Sequence, residues 1–162
     1  VGDVCTCKSN TTCDFTKDSK CTSSTASCDF TCQAGSTCTA ECGTSCKSEC
    51  DGSKTTCTVT GASGDFVCTG GATCNYTMSG TAECNGSTCN LTTKGTSDTL
   101  NCNGGTCTID AAAGANVICN GNANCTIKCE AACTVACTGA TCTLQCGSGG
   151  VNPVTAAGAC HS

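Results

Sequence analysis

The chain has no tryptophan, one tyrosine, three phenylalanines, one proline and one histidine among 162 residues. A domain of this size normally builds its core from Leu, Ile, Val and aromatic side chains, and aromatics at 2% cannot fill one. Charged residues are scarce as well, at 12%, which argues against a charge-driven disordered tail. Arginine is absent; the seven basic residues are scattered lysines and the net charge is −5. That balance argues against a basic patch for nucleic acid. No apolar run approaches the roughly 18 residues of a membrane-spanning helix, so no membrane span is expected.

What the chain has instead is 25 cysteines and 20 glycines. Cysteine at this density signals a disulfide scaffold, and disulfides persist in oxidising compartments. The expected location is therefore secreted, extracellular or on a cell surface. The chain opens Val1-Gly2-Asp3-Val4-Cys5, which suits a mature product whose signal peptide has been removed. A metal-loaded, thiol-rich protein is the competing reading. Metal sites repeat tight Cys/His ligand sets, whereas these cysteines recur at a long period and the one histidine is His161. No metal or other cofactor is expected.

The period identifies the architecture. One column of cysteines runs Cys32, Cys50, Cys68, Cys84, Cys102, Cys119, Cys137, and a second runs Cys38, Cys57, Cys74, Cys89, Cys107, Cys125, Cys142. Both advance by about 17–18 residues per repeat. Between the columns lie related segments, such as Cys84-Asn-Gly-Ser-Thr-Cys89 and Cys102-Asn-Gly-Gly-Thr-Cys107. Gly stands two places after the first cysteine in six of the seven copies, marking a corner, because Gly takes φ > 0 freely. After the corner the pattern alternates with period two, as in Thr56-Cys57-Thr58-Val59-Thr60 and Thr106-Cys107-Thr108-Ile109-Asp110. Cysteine and the aliphatic residue point one way and the polar residues the other.

One short strand per repeat cannot bury its own face, but stacked copies can. The expected fold is all-β: a disulfide-stapled β-solenoid (β-helix), with coils of about 17–18 residues and near three six-residue sides; spacing leaves the handedness open. A knot of small disulfide modules is the alternative. The expected organisation is an irregular, Cys-dense N-terminal cap or docking segment over residues 1–31, solenoid repeats over 32–146, and a Gly/Ala-rich C-terminal segment over 147–162.

Cysteines of the two columns stand five to seven residues apart across the corner. The expected bridges join Cys32 with Cys38, Cys50 with Cys57, Cys68 with Cys74, Cys84 with Cys89, Cys102 with Cys107, Cys119 with Cys125, and Cys137 with Cys142. A second type, Cys-x-x-x-Cys, is expected to join Cys42 with Cys46 and Cys129 with Cys133 on the opposite side of two coils, where other coils hold Gly61, Met78, Thr93 or Ala111. Sequence cannot prove connectivity. Each small loop contributes about 2–3 kcal/mol in the entropy model. Cys5, Cys7, Cys13, Cys21, Cys28, Cys146 and Cys160 are left over, and an odd total means that at least one is free or joined to another chain.

Catalysis is poorly provided for. A nucleophile and base need a histidine or carboxylate held in a pocket, and His161 lies one residue from the end of the chain. Asp51, Asp65, Glu83, Asp98 and Asp110 fall at different places in different coils; Asp65 and Glu83 are the best outward pair. The fixed Asp of glycine-rich Ca²⁺ repeats is missing. The protein is not expected to be an enzyme.

The strongest surface feature is a threonine array. On one side of the second cysteine column stand Thr37, Thr56, Thr73, Thr88, Thr106, Asn124 and Thr141, and on the other Thr39, Thr58, Asn75, Asn90, Thr108, Thr126 and Thr143. Stacked strands would make these two rows, with steps of about 4.8 Å along and about 6.7 Å across. The Thr-Cys-Thr strands resemble those of beetle antifreeze solenoids, and that resemblance implies inward cysteines and flat ranks of threonine that meet ice. The resemblance covers about seven short strands. The chain departs from it in its longer coils and its asparagine replacements, and the third outward place (Glu41, Thr60, Thr77, Thr92, Asp110, Lys128, Gln145) is chemically mixed. The plainer reading is that threonine suits any solvated strand.

Asn-x-Ser/Thr sequons at Asn10, Asn75, Asn85, Asn90 and Asn124 would invite glycans on a eukaryotic secretory route, and a glycan at Asn75 or Asn90 would spoil a flat face. The leading expectation for function is a non-enzymatic extracellular structural protein, a rigid building block whose copies stack end to end into a filament or surface layer. Its basis is that residues 147–162 contain no amphipathic helix to cap the last coil, and open solenoid ends seek partners. Alternatives are an ice-binding protein and a surface-displayed adhesin or binding scaffold. The expected partners are other copies of the chain, with ice or glycans as further candidates, and no nucleic acid.

Overall fold

A computed structural model describes residues 3–7, 12–14, 27–42, 45–61, 63–147, 151–154 and 157–160. Its strands come in successive pairs, one pair to each coil. The first coil has β1 (Asp3–Cys7) and β2 (Thr12–Asp14), the next β3 (Ser27–Cys32) and β4 (Thr37–Cys42), then β5 (Ser45–Asp51) and β6 (Thr56–Gly61), and β7 (Gly64–Thr69) and β8 (Thr73–Met78). Two coils run as single bent strands, β9 (Gly80–Thr93) and β10 (Thr99–Ala111). They are followed by β11 (Asn116–Asn120) with β12 (Asn124–Cys129), β13 (Cys133–Thr138) with β14 (Thr141–Cys146), and finally β15 (Val151–Val154) and β16 (Ala157–Cys160).

The fold is a disulfide-stapled all-β solenoid. Each coil gives one strand to each of two parallel ladders. The first sheet runs β1, β3, β5, β7, β9, β10, β11, β13, and the second runs β2, β4, β6, β8, β9, β10, β12, β14. The coil therefore has two strand-bearing sides, where the sequence suggests one strand and near three sides. The missed strand is the one leading into the first cysteine column. Its inward residues are the cysteine and the residue two places before it: Phe66 before Cys68, Leu100 before Cys102, Val117 before Cys119, Val135 before Cys137, all buried. At the corner the glycine two places after that cysteine takes positive φ in all six copies, from 60° at Gly121 to 93° at Gly52. The chain turns back there, and a disulfide joins the two sheets across the turn. These bonds are Cys32 with Cys38, Cys50 with Cys57, Cys68 with Cys74, Cys84 with Cys89, Cys102 with Cys107, Cys119 with Cys125, and Cys137 with Cys142.

The interior is narrow and is filled by the cysteine columns and by aliphatic side chains. Val59, Leu91, Ile109, Ile127 and Leu144 point inward from the second sheet. The bulkiest contact is between Phe66 of the first sheet and Tyr76 of the second, whose ring centroids are 5.3 Å apart. The Tyr76 hydroxyl donates to the Val67 carbonyl at 3.2 Å. Burial pushes this phenol well above its ordinary pKa.

The corners also hold buried polar groups, several with a backbone partner in a neighbouring coil or their own turn, as burial favours. Thr55 Oγ1 accepts from the Gly35 N–H at 3.0 Å and donates to the Asp51 carbonyl at 2.9 Å. At the opposite corner Cys42 bonds Cys46 and Cys129 bonds Cys133. Between those coils, Thr93 Oγ1 accepts from the Ala112 N–H at 2.7 Å. The buried Asp98 carboxylate accepts from the Gly80 N–H at 2.7 Å and the Gly95 N–H at 2.8 Å.

Both ends differ from the expected outline. Of residues 1–31, expected to be irregular, the described parts 3–7, 12–14 and 27–31 are strands in solenoid register: Cys7 lies opposite Cys32, and Cys13 opposite Cys38. The period is hidden in sequence because the step between those coils is much longer than the others. At the other end, the described residues 151–154 and 157–160 cover the last coil as two short strands. β15 lies antiparallel on β14 and β16 antiparallel on β13, with Cys146 bonded to Cys160. Two short strands need little helix propensity, so the poverty in helix formers does not prevent a cap.

Candidate functional site: the threonine and asparagine face

In the second sheet the alternation that buries cysteine leaves three outward positions per strand. Their alignment depends on register, which is unbroken through the stack. Thr37 lies opposite Thr56, Thr56 opposite Thr73, Thr73 opposite Thr88, Thr88 opposite Thr106, Thr106 opposite Asn124, and Asn124 opposite Thr141. The adjacent row runs Thr39, Thr58, Asn75, Asn90, Thr108, Thr126, Thr143 in the same ladders. Thr58, Thr88, Asn90, Thr106, Thr108, Asn124, Thr126 and Thr141 are exposed, and Thr39, Thr56, Thr73, Asn75 and Thr143 are half-buried.

Neither row carries a charge. The third row does, at Glu41, Asp110 and Lys128, and the last two face each other at 3.8 Å and offset one another. Its middle is again threonine: Thr60, Thr77 and Thr92 follow in register. Within the second row Asn90 Nδ2 donates to Asn75 Oδ1 at 2.8 Å, which fixes both amides in line with the stack. Threonine is stiff at χ1, so its hydroxyls and methyls stand in near-fixed places. The first two rows together make a regular, uncharged and pre-ordered surface.

The opposite sheet offers a contrast. Its outward places near the N-terminal end are charged, with Asp29, Lys47 and Asp65 following one another in register. A groove of about 330 Å³ lies there, lined by these three with Gly64, Gly80 and Thr81. Asp65 and Glu83, the best outward acid pair in the sequence, are not opposite one another: Asp65 faces Thr81, and Glu83 faces Val67. Asp51 accepts from Thr69 Oγ1 at 2.8 Å, Asp98 is occupied at its corner, and Asp110 is paired with Lys128. Asp65 and Glu83 nonetheless line one groove, together with Lys47, Phe66, Val67 and Thr81; His161 lies outside the described residues.

Several cysteine triples bring their sulfur atoms within 4.8 Å of one another. Every member is in a disulfide and has no thiolate to offer a metal. Of the sequon asparagines, Asn90 and Asn124 are exposed and Asn75 half-buried on the threonine face, Asn85 is half-buried on the first sheet, and Asn10 lies outside the described residues. No helix among the described residues is long and apolar enough to cross a membrane, and the disulfide density fits an oxidising setting. Comparison with known proteins finds no matching protein family, no matching curated protein and no matching solved structure.

Proposed function

We propose that this is a non-enzymatic secreted protein whose working surface is the threonine and asparagine face, and that its ligand is ice. The observation that carries the reading is the register: two uncharged rows, aligned strand by strand from Thr37 and Thr39 to Thr141 and Thr143. A crystal of water is itself a periodic array of hydrogen-bonding groups. One threonine binds it negligibly, but many at a constant spacing on one rigid body bind as a multivalent ligand, each contact raising the effective concentration of the next. Disulfides across the corners keep the array from flexing, so little entropy is lost on binding. The methyl groups add apolar contact beside each hydroxyl. Measurement of thermal hysteresis with the purified, oxidised protein tests the reading. A gap between melting and freezing together with faceted crystals is expected; hysteresis absent at millimolar protein would overturn it.

A second reading, a rigid building block that stacks end to end, is favoured by one observation. Among the described residues, β1 and β2 pair on one side only, with β3 and β4, and so present open strand edges. Against it, β15 and β16 cover the other end. Electron microscopy of the native protein separates the two readings.

A further inference from the structure

We propose that the Cys146–Cys160 disulfide is a reducible latch, and that the strand edges it covers are a docking site for the N-terminal strands of a second copy. The inference rests on the second reading above and supplies the condition under which stacking occurs.

Three observations lead to it. The first is topology. Every strand pair from β1 to β14 is parallel, and only the last two are antiparallel. β15 and β16 are therefore not another coil but a cover, four residues on each sheet. The cover also blunts its own edge, because Pro153 in β15 has no N–H to offer.

The second is exposure. Cys146 occupies an inward place, in register with Cys129, and Cys129 with Ala111. Those two are fully buried by the coils above them, but among the described residues no further coil follows Cys146, and it is exposed. Every other cysteine of the described disulfides is buried, at 5% exposure or less. Access is one of the main determinants of disulfide exchange, so among the described disulfides the bond holding the cover is the one a reductant meets first.

The third is the shape of the other end. β1 and β2 lie parallel on β3 and β4, in the register that continues through the stack. A second copy placed with its β1 on β13 and its β2 on β14 would continue both sheets as one more coil does. A heterologous contact of this kind does not close on itself and so propagates.

The chemistry balances with a small dithiol. One thiolate attacks Cys146 Sγ and the sulfur–sulfur bond breaks, Cys160 leaving as a thiolate that takes a proton from water. The second thiol of the reductant displaces Cys146 from the mixed disulfide. The reductant ends as a cyclic disulfide, having given up two electrons, and the protein gains two thiols. β15 and β16 are then held by strand pairing alone.

The test uses the full-length chain. Under native conditions the protein is exposed to graded dithiothreitol, quenched with iodoacetamide and digested for mass spectrometry. Cys146 and Cys160 should be labelled about tenfold faster than the buried cysteines, whose reduction requires coils to open. Labelling spread evenly over the described disulfides would overturn the latch. In parallel, the double variant Cys146→Ser, Cys160→Ser is followed by size-exclusion chromatography with light scattering. It should form concentration-dependent oligomers where the oxidised wild type is monomeric. Excess oxidised wild type should cut these back to dimers, since it can dock through its N-terminal strands but offers only a covered end. A folded variant that stays monomeric, by circular dichroism and scattering, would refute the docking site. Oligomers that grow regardless of added wild type would refute the N-terminal strands as the occupant. Stacking of the oxidised wild type itself would leave the building-block reading standing and remove the latch.

Discussion

Replacing Asp98 by alanine tests how the solenoid turns its wide corner where no disulfide serves. The carboxylate is 3% exposed and accepts from two backbone amides, Gly80 of the coil below at 2.7 Å and Gly95 of its own turn at 2.8 Å. Hydrogen bonds to charged groups contribute about 1.5–3 kcal/mol each. Both amides are only part-buried, so water can replace some of the loss and the low end applies. The two together give about 3 kcal/mol, close to a hundredfold change in an opening equilibrium. Global melting is a poor readout, since coils of a solenoid open locally and disulfides hold the rest. Hydrogen exchange at the Gly80 and Gly95 amides reads the corner directly. Asp98→Ala should speed exchange there by about a hundredfold, and Asp98→Asn, which keeps one acceptor oxygen, by about tenfold. Native exchange rates at both amides in the alanine variant would show that the carboxylate does not hold the corner.

Tyr76 is the single tyrosine, so an ultraviolet titration reports it without overlap. Its raised pKa means that the native state keeps a proton the unfolded chain releases; this contribution to stability is complete below about pH 10 and falls as pH rises beyond it. Tyrosinate absorbance should therefore appear only with unfolding, and a normal titration curve in the folded protein would contradict the burial. Ile109→Ala empties a fully buried site between the sheets and should lower the opening free energy of β9, β10 and β12 by about 2–5 kcal/mol, read as faster amide exchange confined to those strands. In Gly64→Ala the new methyl would collide with the Cys46 carbonyl of the coil below; this should reduce the yield of folded protein and unprotect β5 and β7, whereas wild-type yield and protection would show that the coils are less closely spaced than described.

The stack was legible because cysteine marks the inward face of nearly every repeat, so the period is visible against small drifts in length. The second strand of each coil went unread although its signal was present: Leu100-Asn101-Cys102 and Val117-Ile118-Cys119 put an apolar residue two places before the cysteine, but Ser48 and Ala82 hold the same place in other coils and blur it. The Cys146–Cys160 bond could not be read from a column. Its partners are 14 residues apart in sequence and meet because the chain reverses into an antiparallel cover, a long-range event with no local mark. At the candidate site, the row order could be written down from the repeat. What the sequence could not give was the unbroken register across coils of unequal length, which depends on how each corner absorbs its extra residues.

The most direct test of the working surface is partition between ice and liquid in a slowly frozen solution, comparing the wild type with two double variants. Thr58→Lys with Thr108→Lys puts two long charged side chains in the exposed second row of the threonine face. Asn103→Lys with Thr134→Lys puts the same charges on exposed places of the opposite sheet. The account predicts that the wild type and the opposite-sheet variant concentrate in the ice, while the threonine-face variant, still folded by circular dichroism, stays in the liquid. A wild type excluded from the ice, or a threonine-face variant taken up as well as the wild type, would contradict it.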